Sequence, residues 1–295
     1  MLLYKYCPPE RADFLKERLI RFTQPGLFND PFDSLPAVTG YTKEKARAQA
    51  RKVSLDIAVE LALGDFSRID PRMNMAVLNR AAAELEEEYA ADPTAVGLKY
   101  LAALRNRMFN DIGILCLSED RSNILMWSHY AKNHSGFAIG FDSEHSFFSH
   151  RDNEPEEIGQ LRKVVYVKQR PCLHLSTIEN EGPVPDFLFS KNADWSYELE
   201  WRIIRFLKTA DSIDKNNVHL FGVPPSAIRE IIFGCLADEN TVNKLEAASK
   251  NPDMKHVNFF RADLSRVEYE MDIVPPTTRQ HFKETLAWLR SPSDW

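Results

Sequence analysis

The segment WSYELEWR, residues 195–202, alternates strictly between two kinds of side chain. Read as a β-strand, it puts Trp195, Tyr197, Leu199 and Trp201 on one face and Ser196, Glu198, Glu200 and Arg202 on the other. Glu198 and Glu200 then stand about 7 Å apart, with the Arg202 guanidinium beside them and an aromatic-aliphatic floor beneath. Two like charges this close repel, and a cation or a ligand must offset that repulsion. Carboxylates so placed can act as a general base, stabilise a developing cation, or bind a hard metal ion. The simpler alternative is a half-exposed strand with solvated Glu–Arg salt bridges.

Two other stretches offer candidate binding groups. QPGLFNDPFD, residues 24–33, is dense in turn residues, and Phe28 and Phe32 anchor a loop that exposes Asn29 and Asp30. A helix predicted over residues 123–133 places Trp127, Tyr130, Ala131 and His134 on one stripe, with Gly136 where a helix stops. Trp127 and Tyr130 on that stripe are either core or a stacking wall, and His129 lies between them. His129 and His134 are spaced too far apart to ligate one metal from one helix turn. There is no GxGxxG, no P-loop, no HExxH and no GxSxG elbow, which removes the common dinucleotide, nucleoside-triphosphate, zinc-protease and hydrolase signatures. Two rival readings remain. Asp30, Glu198 and Glu200 could bind Mg²⁺ with Arg202 on a phosphate, as in a metal-dependent nuclease or phosphohydrolase. An aromatic pocket could instead hold a peptide or nucleotide without turnover. On every reading, residues 28–33, 127–130 and 198–202 are expected to meet in one cleft.

The elements that must position these groups mix strands and helices without a βαβ rhythm, so the expected class is α+β with a mixed or antiparallel sheet. Short strands are predicted at residues 3–6, 19–23, 113–118, 137–142, 163–167, 218–223, 256–262 and 267–273, and helices near 11–17, 239–250 and after the Pro275-Pro276 pair. Residues 143–160 read as a polar surface loop. Residues 42–111 change to Ala-, Glu-, Lys- and Arg-rich helical periodicity, with helices near 43–63, 71–91 and 94–109. The expected organisation is therefore an α+β core of residues 1–41 and 112–295, interrupted by an inserted helical lobe, 42–111.

With 295 residues, 44% hydrophobic and 27% charged, the chain has the composition of a globular protein. A net charge of −6 gives no general attraction to nucleic acid or anionic lipid. No stretch reads as a signal peptide or a membrane span, and a cytoplasmic location is expected. Cys7, Cys116, Cys172 and Cys235 form no CxxC pair and are expected to be reduced thiols.

The ordered motifs LYKY, TQPGLFNDPFD, CLSE, LMWSHYAKNHSGFAIGFD, WSYELEWRI and IREIIFG resemble the bacterial family catalogued as domain of unknown function 2971. A basic residue on an N-terminal strand, a central aromatic block and a late Glu-x-Glu strand are also similar to the layout of ADP-ribosyltransferases. That second resemblance implies NAD as substrate, with Arg21 holding it, Glu200 stabilising the oxocarbenium cation, Glu198 acting as base on the acceptor, and Arg202 or Arg21 on the pyrophosphate. It also implies an ADP-ribosyltransferase-like fold. The Ser-Thr-Ser motif usual on the second strand of that family is absent here.

Overall fold

The computed structural model describes residues 1–39, 42–44, 46–48, 50–52, 54, 71–93, 99, 102, 106, 109–150, 158–174 and 186–276. Two compact units emerge, one of Met1–Ser34, Asp111–Gln169 and Pro183–Trp295, the other of Leu35–Asn110 and Arg170–Gly182.

In chain order the described elements are β1 (Leu2–Cys7), α1 (Phe14–Glu17), β2 (Leu19–Arg21), β3 (Ala37–Thr39), α2 (Pro71–Ala91), β4 (Ile112–Ser118), α3 (Ile124–Tyr130), β5 (Phe137–Asp142), β6 (Arg162–Lys163) and β7 (Val165–Val167). They continue with β8 (Cys172–His174), β9 (Ser190–Asn192), β10 (Glu200–Phe206), β11 (Ser212–Ile213), β12 (His219–Gly222), β13 (Ile228–Phe233), α4 (Glu239–Ser249), β14 (Asn258–Leu264) and β15 (Met271–Val274). The class is α+β, as the sequence led us to expect.

The first unit is built on an eight-stranded sheet in the order β15-β14-β13-β5-β1-β4-β10-β6. Its neighbours run antiparallel except β13 and β14, which are parallel. Period-2 alternation sorts apolar side chains to both faces. On β1, Leu3 and Cys7 join one core with Leu115, Leu117, Phe137, Ile139 and Ile203. Tyr4 and Tyr6 join the opposite core with Met126, Trp127, Ala138 and Ile232. Burial on both faces explains why β4 and β5 read as near-continuous apolar runs.

In the second unit β3 pairs in parallel with β8, and α2 carries Glu86 and Glu87, which meet Arg51 and Arg47. Helix α2 has the bounds expected for the middle helix of the lobe; the helices expected near 43–63 and 94–109 and after Pro276 fall largely or wholly outside the described residues.

Several expectations need correction. Helix α3 stops at Tyr130, because Lys132, Asn133 and His134 all take positive φ, so His134 leaves the helical stripe. Gly136 closes that turn where a Cβ would come within 2.1 Å of the Cys7 carbonyl oxygen. The strand expected over 163–167 breaks at Val164, and its halves join different sheets. Within 143–160, Phe147 and Phe148 are buried in a short 3-10 turn, so at least that part is anchored in the core. Gly140 makes room for the Glu230 side chain.

Candidate functional site

The alternation in WSYELEWR does not describe one strand. Asn192 caps a 3-10 helix, Ala193–Glu198, by accepting from the Asp194 N–H, and Leu199 then turns the chain with φ 44° before β10 begins at Glu200. A non-glycine residue in the left-handed region is held there by its surroundings. Glu198 therefore reaches the site from a turn and Glu200 from a strand, yet both carboxylates meet at one ammonium.

That ammonium belongs to Lys191 on β9. Its Nζ donates to Glu198 Oε2 and, at 3.2 Å, to Glu200 Oε2, and stands 3.7 Å from Asp33 Oδ2. Beneath it lies Arg202, which is fully buried and spends all five guanidinium N–H donors. Nε and Nη2 donate to the two oxygens of Glu200 at 2.8 and 3.0 Å, Nη1 and Nη2 to the two oxygens of Asp33 at 2.9 and 2.7 Å, and Nη1 to the Leu188 carbonyl at 2.7 Å. The β10 backbone N–H of Glu200 donates to the Tyr166 hydroxyl at 2.8 Å. On the other side, the Tyr130 hydroxyl donates to Glu198 Oε1 at 2.6 Å.

Three buried carboxylates thus face two buried cations. This environment drives the two glutamates apart. For Glu200, burial would raise the pKa, but the adjoining Arg202 and Lys191 charges outweigh it and hold the group down to about 2. For Glu198 burial dominates, the Glu200 charge adds to it, and Lys191 and Tyr130 only partly compensate, so its pKa is raised. Burial would lower the pKa of Lys191, but the charges of Glu200, Glu198 and Asp33 more than offset it and hold the pKa up.

A cavity of about 380 Å³ lies against this network and has Asp33, Lys191, Glu198 and Glu200 in its lining. Tyr4, Tyr6, Phe28, Met126, His129 and Tyr130 give it aromatic and thioether walls. Outside it, Trp195 and Tyr197 form a tilted ring pair, with His129 edge-on to both. Such a cavity, mostly apolar with a few convergent charges, has the make-up of a small-molecule site.

Of the residues singled out from sequence, Glu198, Glu200, Asn29, His129 and Tyr130 line this cavity. Arg202 stands behind the carboxylates as their clamp. Trp127 is fully buried, edge-on to Tyr6, with its indole N–H on the Arg121 carbonyl, so it serves as core. Asp30 folds its own turn by accepting the Phe32 N–H at 2.8 Å and is not in the lining. Arg21 is also absent from the lining; it sits on β2 opposite Leu220. The expected trio of Asp30, Glu198 and Glu200 therefore does not assemble as metal ligands. Lys191 and Arg202 occupy the positions where a cation would meet the glutamates, and among the described residues no group of three or more His, Cys, Asp or Glu side chains could hold a metal ion.

Sequence reading missed Asp33 and Lys191. Asp33 was visible as the second aspartate of NDPFD, but nothing in the pattern ranked it above Asp30. Lys191, in FLFSKNAD, carried no periodic signal at all.

Among the described residues no helix is long and apolar enough to cross a membrane. No curated protein and no solved structure matches the chain. Residues 126–203, which run from α3 through Lys191 to Glu200 and Arg202, match the model of the family described as Protein of unknown function (DUF2971), in agreement with the resemblance carried by the motifs.

Proposed function

We propose that the cavity is an active site that cleaves the N-glycosidic bond of a nucleotide, with NAD as substrate, in the manner of an ADP-ribosyltransferase. The observation that supports this reading most is the pair Glu198 and Glu200. Two carboxylates that share one lysine, with pKa values pushed in opposite directions, are the arrangement by which one site holds both a fixed charge and a proton-transfer group.

Glu200, kept ionised by Arg202 and Lys191, supplies the fixed charge. As the bond from ribose C1′ to the nicotinamide nitrogen breaks, its electron pair leaves with nicotinamide and C1′ becomes cationic. Negative charge already oriented by a buried clamp stabilises that cation more than the ground state. Glu198 takes the proton of the attacking acceptor as the new bond to C1′ forms. Tyr130 orients Glu198, and Arg202, through Asp33 and Leu188, is a positioning residue that touches neither substrate nor acceptor. The aromatic walls suit a flat ring.

A second reading, ligand binding without turnover, is favoured by one feature: both oxygens of Glu200 are already bonded to protein cations. Nicotinamide release, followed alongside calorimetry with NAD and with Mg²⁺, separates the two. Glu200→Gln should lower nicotinamide release by about a hundredfold or more, whereas Glu198→Gln should spare release and impair transfer to the acceptor. NAD binding with no nicotinamide release in the wild type would leave the binding reading; no NAD binding would remove both nucleotide readings.

A further inference from the structure

The cavity opens where two neighbouring strands part. β1 is in register with β5 along its whole length, but it meets β4 at a single pair, Tyr4 with Ser118. Farther along β4, Thr23 takes up the pairing, exchanging backbone hydrogen bonds with Ile114. Lys5 lies in the gap so formed and belongs to the cavity lining. Its Nζ donates to the Cys116 carbonyl at 3.2 Å. An ammonium has three donors, so that bond fixes the group at the wall and leaves capacity for a ligand.

Lys5 differs from the other lysine of the cavity. Lys191 is committed to carboxylates, whereas among the described residues no carboxylate forms an ion pair with Lys5. The lining thus offers a ligand both the carboxylates Glu198 and Glu200 and, in Lys5, an ammonium that among the described residues no carboxylate neutralises by a direct ion pair. A ligand with an electropositive ring and an anionic tail complements both.

We propose that Lys5 is the anion-binding residue of this site and holds a phosphate oxygen of the nucleotide whose ring and ribose face Glu198. The assignment rests on the nucleotide reading of the cavity, and it names Lys5 in the role that the sequence resemblance gave to Arg21.

Calorimetry on the full chain tests it with three probes: nicotinamide mononucleotide, nicotinamide riboside, which lacks the phosphate, and inorganic pyrophosphate. Lys5→Met should weaken the mononucleotide and pyrophosphate by roughly tenfold or more, leave the riboside unchanged, and be partly rescued by Lys5→Arg. In the wild type, added salt should weaken pyrophosphate binding, a reading that does not depend on any variant folding. Equal loss of riboside and mononucleotide in Lys5→Met would overturn the assignment, as would a wild type that binds neither phosphate probe. Pyrophosphate binding that is lost in Lys5→Met, with no binding of either nicotinamide probe, would leave the anion site standing and remove the nucleotide reading instead.

Discussion

Arg202 grips Asp33 through both carboxylate oxygens, at 2.9 and 2.7 Å, across 169 residues of sequence. The pair ties the turn after β2 to the start of β10, and it does so where neither partner meets water. A bidentate guanidinium–carboxylate contact fixes angle as well as distance, so the glutamates above it inherit a defined position. Burial makes the contact costly to break, because it upsets the charge balance of a network that water does not reach.

Arg202→Met should therefore destabilise the protein by about 3 kcal/mol or more, since it leaves three buried carboxylates facing Lys191 alone, and Asp33→Asn by less, since Arg202 keeps both oxygens of Glu200. Asp30→Asn, three residues away, should cost under about 1 kcal/mol, because an amide oxygen can still accept the Phe32 N–H. Urea unfolding of the three variants measures this directly. Equal losses at positions 30 and 33 would show that the turn itself, and not the clamp, carries the stability.

The contrast between those two aspartates shows where sequence reading stopped. Both lie in NDPFD, and the choice between them was made by an Asx turn in which Asp30 binds its own loop, leaving Asp33 to point inward. At Glu200 and Arg202 the period of the strand did reveal a shared charged face, since alternation is a property of any extended chain. The same alternation misled at 195–198, because the left-handed turn at Leu199 leaves no mark in residue type. Lys191 was out of reach for a different reason: its partners are set by tertiary packing between β9 and β10, which no local pattern encodes. Tyr130 and His129 were legible because their helix could be placed from its cap residue Asn123 and its apolar stripe.

Tyr130→Phe isolates the tuning of Glu198. The hydroxyl donates to Glu198 Oε1 at 2.6 Å, and a donor favours the ionised carboxylate. Without it the raised pKa of Glu198 should rise further. In the pH dependence of transfer to the acceptor, the limb governed by a base at Glu198 should move toward higher pH. A limb that stays in place while the rate falls would mean that Tyr130 only positions the ring of the ligand and does not act through Glu198.

Stability as a function of pH separates the two glutamates without any assumption about substrate. Glu200 is held down from 4.5 to about 2 in the folded chain, so its ionisation stabilises the fold fully above about pH 4.5 and that contribution, on the order of 3 kcal/mol, is lost as pH falls toward 2. Glu198 has the opposite sign. Its pKa is raised, so its contribution is present below the normal glutamate range and disappears as pH climbs through the raised value. Glu198→Gln should therefore gain on the wild type progressively above about pH 4.5 and level off once the wild-type Glu198 has ionised. Glu200→Gln should flatten the acid limb, and by removing the neighbouring charge it should also bring Glu198 down toward its ordinary value. Unfolding free energies by urea at half-unit steps from pH 3 to 8 give both difference curves. A Glu198→Gln curve that runs parallel to the wild type throughout would mean that Glu198 ionises as an ordinary surface carboxylate, and the division of labour between the two glutamates would fall with it.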